Sequence, residues 1–309
     1  MPYPRQNGLT PYQVIAADGS ENGLFTGYFE PLLRGSATRS EKYAHAVYAP
    51  PSDLSVVPNY TNSGQPGQFA YGKINTLGNE QGEVTAHVSR ADVMRGALEN
   101  QNLELLYVDD AVDLFFAHVQ GSAAIQMDDN SIKSGDHRSA SLCERSRAAS
   151  EHIIRIGFAA KSGHPYVAIG KTLYDMNVLQ PPITMQSIKA WLRANPSQQE
   201  QILASNPSFI FFKMLEGTGP IGASGEVLMP EQSLAIDDTI WPYGLQVIVA
   251  THDPVDKQKP FIRLMRTQDT GSAIRGVIRG DIYFGSGDAA GAKAGAMNAA
   301  GKLWILLPD

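Results

Sequence analysis

Three aspartates near the C-terminal end stand in otherwise apolar, glycine-containing sequence. They are Asp237 in Ala-Ile-Asp-Asp-Thr-Ile, Asp269 in Arg-Thr-Gln-Asp-Thr-Gly, and Asp281 in Arg-Gly-Asp-Ile-Tyr-Phe-Gly. A carboxylate among apolar side chains loses contact with water, and this loss raises its pKa. Such a group can hold a proton near neutral pH and donate it as a general acid. The three segments therefore indicate acid–base chemistry.

Other roles for these aspartates stay open on sequence grounds. Asp commonly stabilises turns through side-chain to backbone hydrogen bonds, which fits Asp237 and Asp269 as well as a functional role does. Asp281 begins an apolar run instead, which favours function. A cation site built from all three lacks the dense acidic spacing of a calcium loop. No Cys/His grouping has zinc-ligand spacing either, so no metal is expected.

Two further segments combine aromatic, hydroxyl and charged side chains with glycine. One is Lys161-Ser-Gly-His164-Pro-Tyr166, and the other is Thr26-Gly-Tyr28 with its flanking Phe residues. Aromatic rings beside polar groups suit core packing and sugar stacking equally. His164 taken alone is more typical of a turn or a surface position than of a catalytic site. These segments become candidates for binding only in combination with others.

The composition limits the class of protein. The chain has 309 residues, 43% of them hydrophobic, which suffices for one large or two ordinary domains. Its net charge is −6 and it has no dense Lys/Arg cluster, so nucleic-acid binding is not expected. The single cysteine, Cys143, cannot form an internal disulfide and is interpreted as a tolerated thiol. No apolar run reaches the ~20 residues of a membrane span, and the N-terminus has no signal core.

Local patterns predict an α+β chain whose C-terminal part is mainly β. Helices are predicted after the capping box Ser89–Asp92, from Asp109 or Asp110 to Gly121, from Thr184 to Asn195, and after a second capping box at Ser197–Glu200. The polar stretch 126–152 is predicted to be a long loop or frayed hairpin. After Pro207, short β-branched or aromatic runs bounded by turns predict strands.

A glycine-rich segment after Asp281 raises the question of a cofactor. Gly285-Ser-Gly287-Asp-Ala-Ala290 matches a loose dinucleotide fingerprint. A dinucleotide fold needs a further helix, strand and acidic residue about 20 residues on, and too little chain remains for them. We therefore expect a tight turn into a helix around Asp288 to Met297, and no cofactor.

Taken in chain order, these segments resemble the MltA-type membrane-bound lytic murein transglycosylases, whose C-terminal "3D" domain is named for three aspartates. The similar segments are Leu24–Pro31, Asp113–Ser122, Gly157–Gly170, Asn206–Phe212, and the surroundings of Asp237, Asp269 and Asp281. Because they follow one order across nearly the whole chain, the resemblance is strong.

The resemblance implies a mainly β fold with a double-psi β-barrel, formed by residues 1–33 and 209–309. A second β-rich domain, 34–208, would be inserted, and a groove between the two would hold a peptidoglycan glycan strand. The implied reaction cleaves the β-1,4 bond between N-acetylmuramic acid and N-acetylglucosamine and forms a 1,6-anhydromuramoyl end. Because the muramoyl C6 hydroxyl is then the nucleophile, one protein carboxyl suffices, where ordinary glycosidases need two.

The resemblance also implies roles for particular residues. Asp281 matches the catalytic aspartate and would act as both acid and base, with a raised pKa. Asp269 and Asp237 would support it. Substrate contacts are expected from a set of groove residues: Thr26, Tyr28, Gln120, Lys161, His164 and Tyr166. The expected protein is a monomer of the periplasm, associated with the outer membrane, that needs no cofactor.

The chain also departs from the family pattern. Residues 123–127 and the Arg/Ser-rich segment 136–149 stand where the family has a short hairpin, so substrate contacts near 122–150 are not assigned. The family's lipid-anchoring signal is missing from this chain, so its envelope location follows from the resemblance alone. Two other functions stay open: an inverting hydrolase that uses Asp269 or Asp237 as base, and a non-catalytic glycan-binding module.

Overall fold

A computed structural model describes residues 8–57, 70–75, 83–128, 153–217, 219–271 and 273–308. Its strands are β1 Leu9–Gln13, β2 Gly23–Glu30, β3 Leu32–Ser36, β4 His45–Tyr48, β5 Ser55–Val57, β6 Ala70–Asn75, β7 Glu83–Thr85, β8 Glu104–Val108, β9 Ser122–Met127, β10 Ile153–Lys161, β11 Ile210–Leu215, β12 Ser233–Ile236, β13 Gln246–His252, β14 Pro260–Thr270, β15 Arg279–Ser286 and β16 Asn298–Pro308. Its helices are α1 Arg90–Met94, α2 Ala111–Gln120, α3 Ile169–Asp175, α4 Met185–Ala194, α5 Pro196–Ala204 and α6 Gly287–Ala296.

The chain forms two compact units. One combines the N-terminal segment up to Pro31 with the segment from Gly219 to the C-terminus, and the other is Leu32–Thr218. We call them the barrel unit and the inserted unit. The family resemblance implies joins at 33/34 and 208/209. These joins and the roles of catalytic and substrate-binding domain stay predictions.

The barrel unit is a closed barrel of six strands. Around the barrel the order is β16, β13, β14, β12, β15 and β2, and the pairing of β2 with β16 closes the ring. The β12–β14 and β15–β2 pairs are parallel and the other four are antiparallel. β1 extends the sheet beyond β16. The sequence expectation of a mainly β chain with a double-psi barrel is thus confirmed.

Alternation along β2 shows how the sequence builds this wall. Phe25 is fully buried and faces Gly280 of β15, where an added Cβ would press against its ring. Successive side chains of a strand point to opposite faces. Thr26 and Tyr28 therefore share the other face of β2, together with their register partners Asp281 and Tyr283. The strand thus carries a packing face and a polar face.

The inserted unit contains a six-stranded sheet ordered β11, β10, β9, β3, β8, β4, and a small sheet of β5, β6 and β7. One core lies on the large sheet around Ile125, Ile156 and Phe212. A second joins α2 to α3, α4 and α5 through residues such as Phe115 and Leu192. The inserted unit is therefore β-rich with a helical layer.

The predicted helices are confirmed except for one start. α1, α2 and α4 are capped at their N-termini by Ser89, Asp110 and Thr184, whose side chains accept backbone N–H hydrogen bonds. The predicted capping box at Ser197 is wrong, because α5 begins at Pro196 directly after α4 and has no side-chain cap. Proline suits the first helical position since its missing N–H would have no partner there. Cys143, with 129–152 of the predicted loop, lies outside the described residues.

Candidate active site

A row of register partners crosses the barrel wall. Ala235 on β12 faces Asp269 on β14 on one side and Asp281 on β15 on the other. Asp281 in turn faces Thr26 on β2. Directly paired residues project from the same face of a sheet, so both aspartates and Thr26 share one face. Ala235 has only a methyl side chain, which leaves the two carboxylates without a bulky residue between them.

Asp281 is held through one of its two carboxylate oxygens. Oδ1 accepts a hydrogen bond from the Thr26 hydroxyl and an ion-paired hydrogen bond of 2.5 Å from Arg279. Arg279 also donates to Thr26 Oγ1 at 2.8 Å, so the three side chains form a closed triangle. Among the described residues nothing donates to Oδ2. With 19% of the Asp281 side chain exposed, that oxygen is the one available to a ligand.

Asp269 has the environment that the sequence predicted for an acid. Burial raises its pKa, although backbone N–H groups of Ala223 and Thr270 donate to Oδ1 at 3.0 Å and act in the opposite direction. The Tyr28 hydroxyl also favours the ionised form of Asp269, whereas the Asp281 carboxylate disfavours it. This mutual influence agrees with the strand register in placing the two carboxylates near each other.

Tyr28 contributes a buried hydroxyl to the same face. Its ring lies 5.3 Å from that of Tyr283, and burial raises the pKa of its phenol well above the usual value. Its hydroxyl forms no hydrogen bond of ordinary geometry with the residues that the structure describes. The effect of the Tyr28 hydroxyl on the pKa of Asp269 is therefore electrostatic.

For Asp237 the expected rise in pKa is wrong. Burial acts to raise the pKa, but hydrogen bonds from Thr239 and the Gly276 N–H, together with the Arg275 charge, hold it below the usual value. Thr239 Oγ1 donates to Oδ1 at 2.7 Å, Arg275 donates to Oδ1 at 3.0 Å, and Gly276 N donates to Oδ2 at 2.8 Å. Both oxygens are occupied, so Asp237 ties together two loops of the barrel unit.

Lys161 and His164 lie at the end of β10 and on the turn that follows it. Nζ of Lys161 lies 5.3 Å from the centre of the Tyr71 ring, and burial lowers the pKa of this lysine. His164 Nε2 lies 3.0 Å from the His87 carbonyl oxygen and braces the segment. Gly163 has φ +86°, and a Cβ there would collide with the Tyr71 carbonyl, so this turn requires glycine.

Two further candidates of the inserted unit are Tyr166 and Gln120. Tyr166 is 55% exposed and, with Phe115 and Phe116, lines a cavity of about 420 Å³. Gln120 ends α2, directly before the left-handed Gly121. The structure therefore brings Asp281, Asp269, Thr26 and Tyr28 together in the barrel unit, whereas the inserted unit holds Lys161, His164 and Tyr166 on one segment.

Arg279 is a member of the site that was not predicted from the sequence. The signal was present, because Arg279 and Asp281 are two residues apart and a strand places such residues on one face. In the part of the chain that the structure describes, no group of three or more His, Cys, Asp or Glu side chains could hold a metal ion. The chemistry available to the site is that of the carboxyl groups with Arg279 and the neighbouring hydroxyls.

A closed barrel with a carboxyl site and a β-rich insertion defines the fold class. Two family models cover most of the chain: the MltA specific insert domain matches residues 24–137 and 143–213, and the 3D domain matches residues 232–307. The chain belongs to the MltA family.

Solved structures agree with this assignment. A membrane-bound lytic murein transglycosylase from Agrobacterium tumefaciens is 33% identical with a TM-score of 0.77, over 97% of this chain and 77% of that one. Escherichia coli MltA with bound chitohexaose is 28% identical with a TM-score of 0.74, over 97% and 76%. The Escherichia coli K12 membrane-bound lytic murein transglycosylase A is 29% identical over 98% of this chain and 70% of its own length.

Proposed function

We propose that this protein is a lytic transglycosylase of peptidoglycan. It cleaves the β-1,4 bond between N-acetylmuramic acid and N-acetylglucosamine and leaves a 1,6-anhydromuramoyl end. One observation carries the proposal beyond family membership. Asp281 of the 3D domain is anchored through Oδ1 by Thr26 and Arg279, which leaves Oδ2 for the reacting atoms.

The reaction divides into two proton transfers at Asp281 Oδ2. The protonated carboxyl first donates to the glycosidic oxygen as the bond from that oxygen to the muramoyl C1 breaks. The C6 hydroxyl of the same sugar then attacks C1 and returns its proton to Asp281. No water is consumed, and the enzyme regains its starting form. A positioned carboxyl of this kind contributes about 10²–10⁴-fold to a rate.

Thr26 and Arg279 suit these two steps. Their hydrogen bonds to Oδ1 fix the orientation of the carboxyl group, so that Oδ2 faces a constant direction. The Arg279 guanidinium stabilises the carboxylate that remains after the first transfer. Asp269 lies across Ala235 on the same face and provides a second polar group for orienting the sugar.

A hydrolase is the second candidate, because Asp269 supplies another carboxyl near Asp281. An inverting glycosidase holds its two carboxyl groups roughly 6.5–9.5 Å apart. Two strand spacings place the backbones of Asp269 and Asp281 about 10 Å apart. Asp237 is a poor candidate for the base, since donors occupy both of its oxygens.

The mass of the soluble products separates these functions. Purified murein sacculi are digested and the released fragments are weighed by mass spectrometry. A transglycosylase releases anhydro ends, which are lighter by one water than the reducing ends of a hydrolase. Reducing ends would overturn the proposal in favour of the Asp269–Asp281 pair. A glycan-binding module would release neither.

The proposed setting is the cell envelope. The protein is proposed to act as a monomer on glycan strands in the periplasm, associated with the outer membrane. Its curated relatives are named membrane-bound lytic murein transglycosylases. None of the helices that the structure describes has the length and apolar character to cross a bilayer. The glycan strand is proposed to be contacted by four residues of the inserted unit: Gln120, Lys161, His164 and Tyr166.

A further inference from the structure

A cavity in the barrel unit lies beside the row of register partners that contains Asp269 and Asp281. Its volume is about 320 Å³, within the range of small-molecule sites. Its walls come from the loop after β13 and from the link between α6 and β16. The lining residues are His252, Asp253, Pro254, Lys257, Ala296, Met297, Asn298, Ala299 and Ala300.

The strand register ties this cavity to Asp281. Asn298, in the cavity wall, is the register partner of Thr26, which is itself the partner of Asp281. The three residues therefore share one face of the barrel. Asn298 and Asp281 lie two strands apart, so their backbones are about 10 Å from each other across the sheet. A ligand in the cavity would be a close neighbour of a sugar held at Asp281.

The cavity holds opposite charges that do not neutralise each other. Asp253 and Lys257 both line it, but no ion pair joins them, and no carboxylate among the described residues pairs with Lys257 or His252. Backbone N–H groups of Asp256 and Val255 donate to Asp253 Oδ1 and hold the pKa of this carboxyl below its usual value. Asp253 therefore stays ionised at neutral pH, and its Oδ2 receives no hydrogen bond from the described residues.

The end of α6 adds to the negative side of the cavity. Ala296 is the last residue of α6, and the C-terminus of a helix carries partial negative charge. Asp253 and this helix end suit an ammonium group, whereas Lys257 and His252 suit a carboxylate. Ala296, Ala299 and Ala300 also line the cavity, and these small residues leave room for a short aliphatic segment.

We propose that this cavity binds the zwitterionic amino-acid end of a peptide stem of peptidoglycan. The inference rests on the proposed function, because it names the part of the substrate that the barrel recognises beside the scissile bond. The glycan chain itself carries acetamido and hydroxyl groups and no pair of opposite charges. A peptide stem supplies such a pair wherever a diamino acid keeps a free amine next to a free carboxylate.

The test compares three substrates: intact sacculi, peptide-free glycan strands made by amidase digestion, and sacculi whose amines are acetylated. Lys257→Gln should raise KM about tenfold on intact sacculi, with kcat unchanged, because a charged hydrogen bond to the carboxylate is lost. On peptide-free strands the variant should match the wild type. Lys259→Gln, on the same loop but outside the cavity lining, is the charge-matched control and should not raise KM, because the Lys259 charge acts on Asp253 and its loss leaves the carboxylate-binding side intact.

Asp253→Asn tests the other half of the site. Asn keeps an oxygen to accept the two backbone N–H groups, so the loop is preserved while the charge is removed. Acetylation of the amines should raise KM for the wild type about tenfold and leave that of Asp253→Asn unchanged. Equal sensitivity of both proteins to acetylation would overturn the site for the ammonium.

The same digests keep this inference separate from the proposed function. Anhydro ends together with a KM that is equally raised on intact and peptide-free substrates would overturn the cavity proposal alone. A KM effect in Lys259→Gln as large as in Lys257→Gln would overturn it as well. Reducing ends with a stem-dependent KM would overturn the transglycosylase and support the cavity.

Discussion

Asp237 and Asp281 lie in the same barrel, yet their surroundings differ in kind. Asp237 is 3% exposed and receives hydrogen bonds on both oxygens. Asp281 receives them on Oδ1 alone and keeps Oδ2 open. A carboxylate saturated by its own protein holds loops together, and one that is half saturated remains able to exchange a proton with a ligand. Asp269 belongs with Asp281, because the backbone N–H groups of Ala223 and Thr270 both donate to its Oδ1.

The largest effect is expected on turnover, when the half-saturated Asp281 is replaced. Asp281→Asn removes the group that transfers the proton, so kcat should fall about 10²–10⁴-fold. The side chain keeps its size and an oxygen for Thr26, so the melting temperature should change little. Turnover of sacculi and thermal unfolding measure the two effects on one sample. A large loss of stability with normal turnover would reverse the assignment.

Replacement of Asp237, whose two oxygens both accept hydrogen bonds, should lower the stability of the protein instead. In Asp237→Asn an amide donor meets the Gly276 N–H donor, or the contacts of Thr239 and Arg275 are lost, at a cost of about 1–3 kcal/mol. The matched control is Asp238→Asn, since Asp238 is exposed and makes only two long contacts, 3.3 Å to Arg275 and 3.4 Å to the Tyr243 hydroxyl. That variant should stay within about 0.5 kcal/mol of the wild type. Urea unfolding gives both values.

The pH dependence of stability should separate Asp237 from Asp269 by sign. The folded-state pKa of Asp237 is lowered. Its stabilisation is therefore present above the unfolded value of about 3.9 and is lost as pH falls through the folded pKa. The folded-state pKa of Asp269 is raised, so the folded protein binds that proton more tightly and its contribution declines as pH rises from about 4 through the folded pKa.

Unfolding free energies of the two Asp→Asn variants, measured from about pH 3 to pH 7, test these signs. Relative to the wild type, Asp237→Asn should become less stable as pH rises, and Asp269→Asn should become more stable. Parallel curves for the two variants would contradict the comparison between saturated and open carboxylates.

The smallest effect is expected at Tyr28. Its hydroxyl is buried without a hydrogen bond of ordinary geometry among the described residues, so Tyr28→Phe should change the unfolding free energy by less than about 1 kcal/mol. Because that hydroxyl favours ionised Asp269, its removal should raise the pKa of Asp269 further. Carbonyl-region infrared or carbon NMR titration reads this change. A downward shift would contradict the placement of Tyr28 beside Asp269.

Local pattern predicted much of the fold and only part of the site. The caps at Ser89, Asp110 and Thr184 were readable because each acts within a few residues of its helix. The direction of the Asp237 pKa was not, because its partners Arg275 and Gly276 lie more than 35 residues along the chain. The Asp269–Ala235–Asp281 row depends on strand register, which local sequence does not carry. The family motif located the three aspartates in the sequence. The structure showed that they differ in hydrogen bonding.

Asp281 is proposed to perform the chemistry and to be dispensable for binding. The most direct measurement uses Asp281→Asn in a sacculus-pelleting assay, with the supernatant analysed for anhydromuramoyl ends by mass spectrometry. With Asp281 as acid and base, the variant should cosediment with sacculi as the wild type does and release no anhydro products above background. Anhydro ends released at the wild-type rate would contradict this role of Asp281.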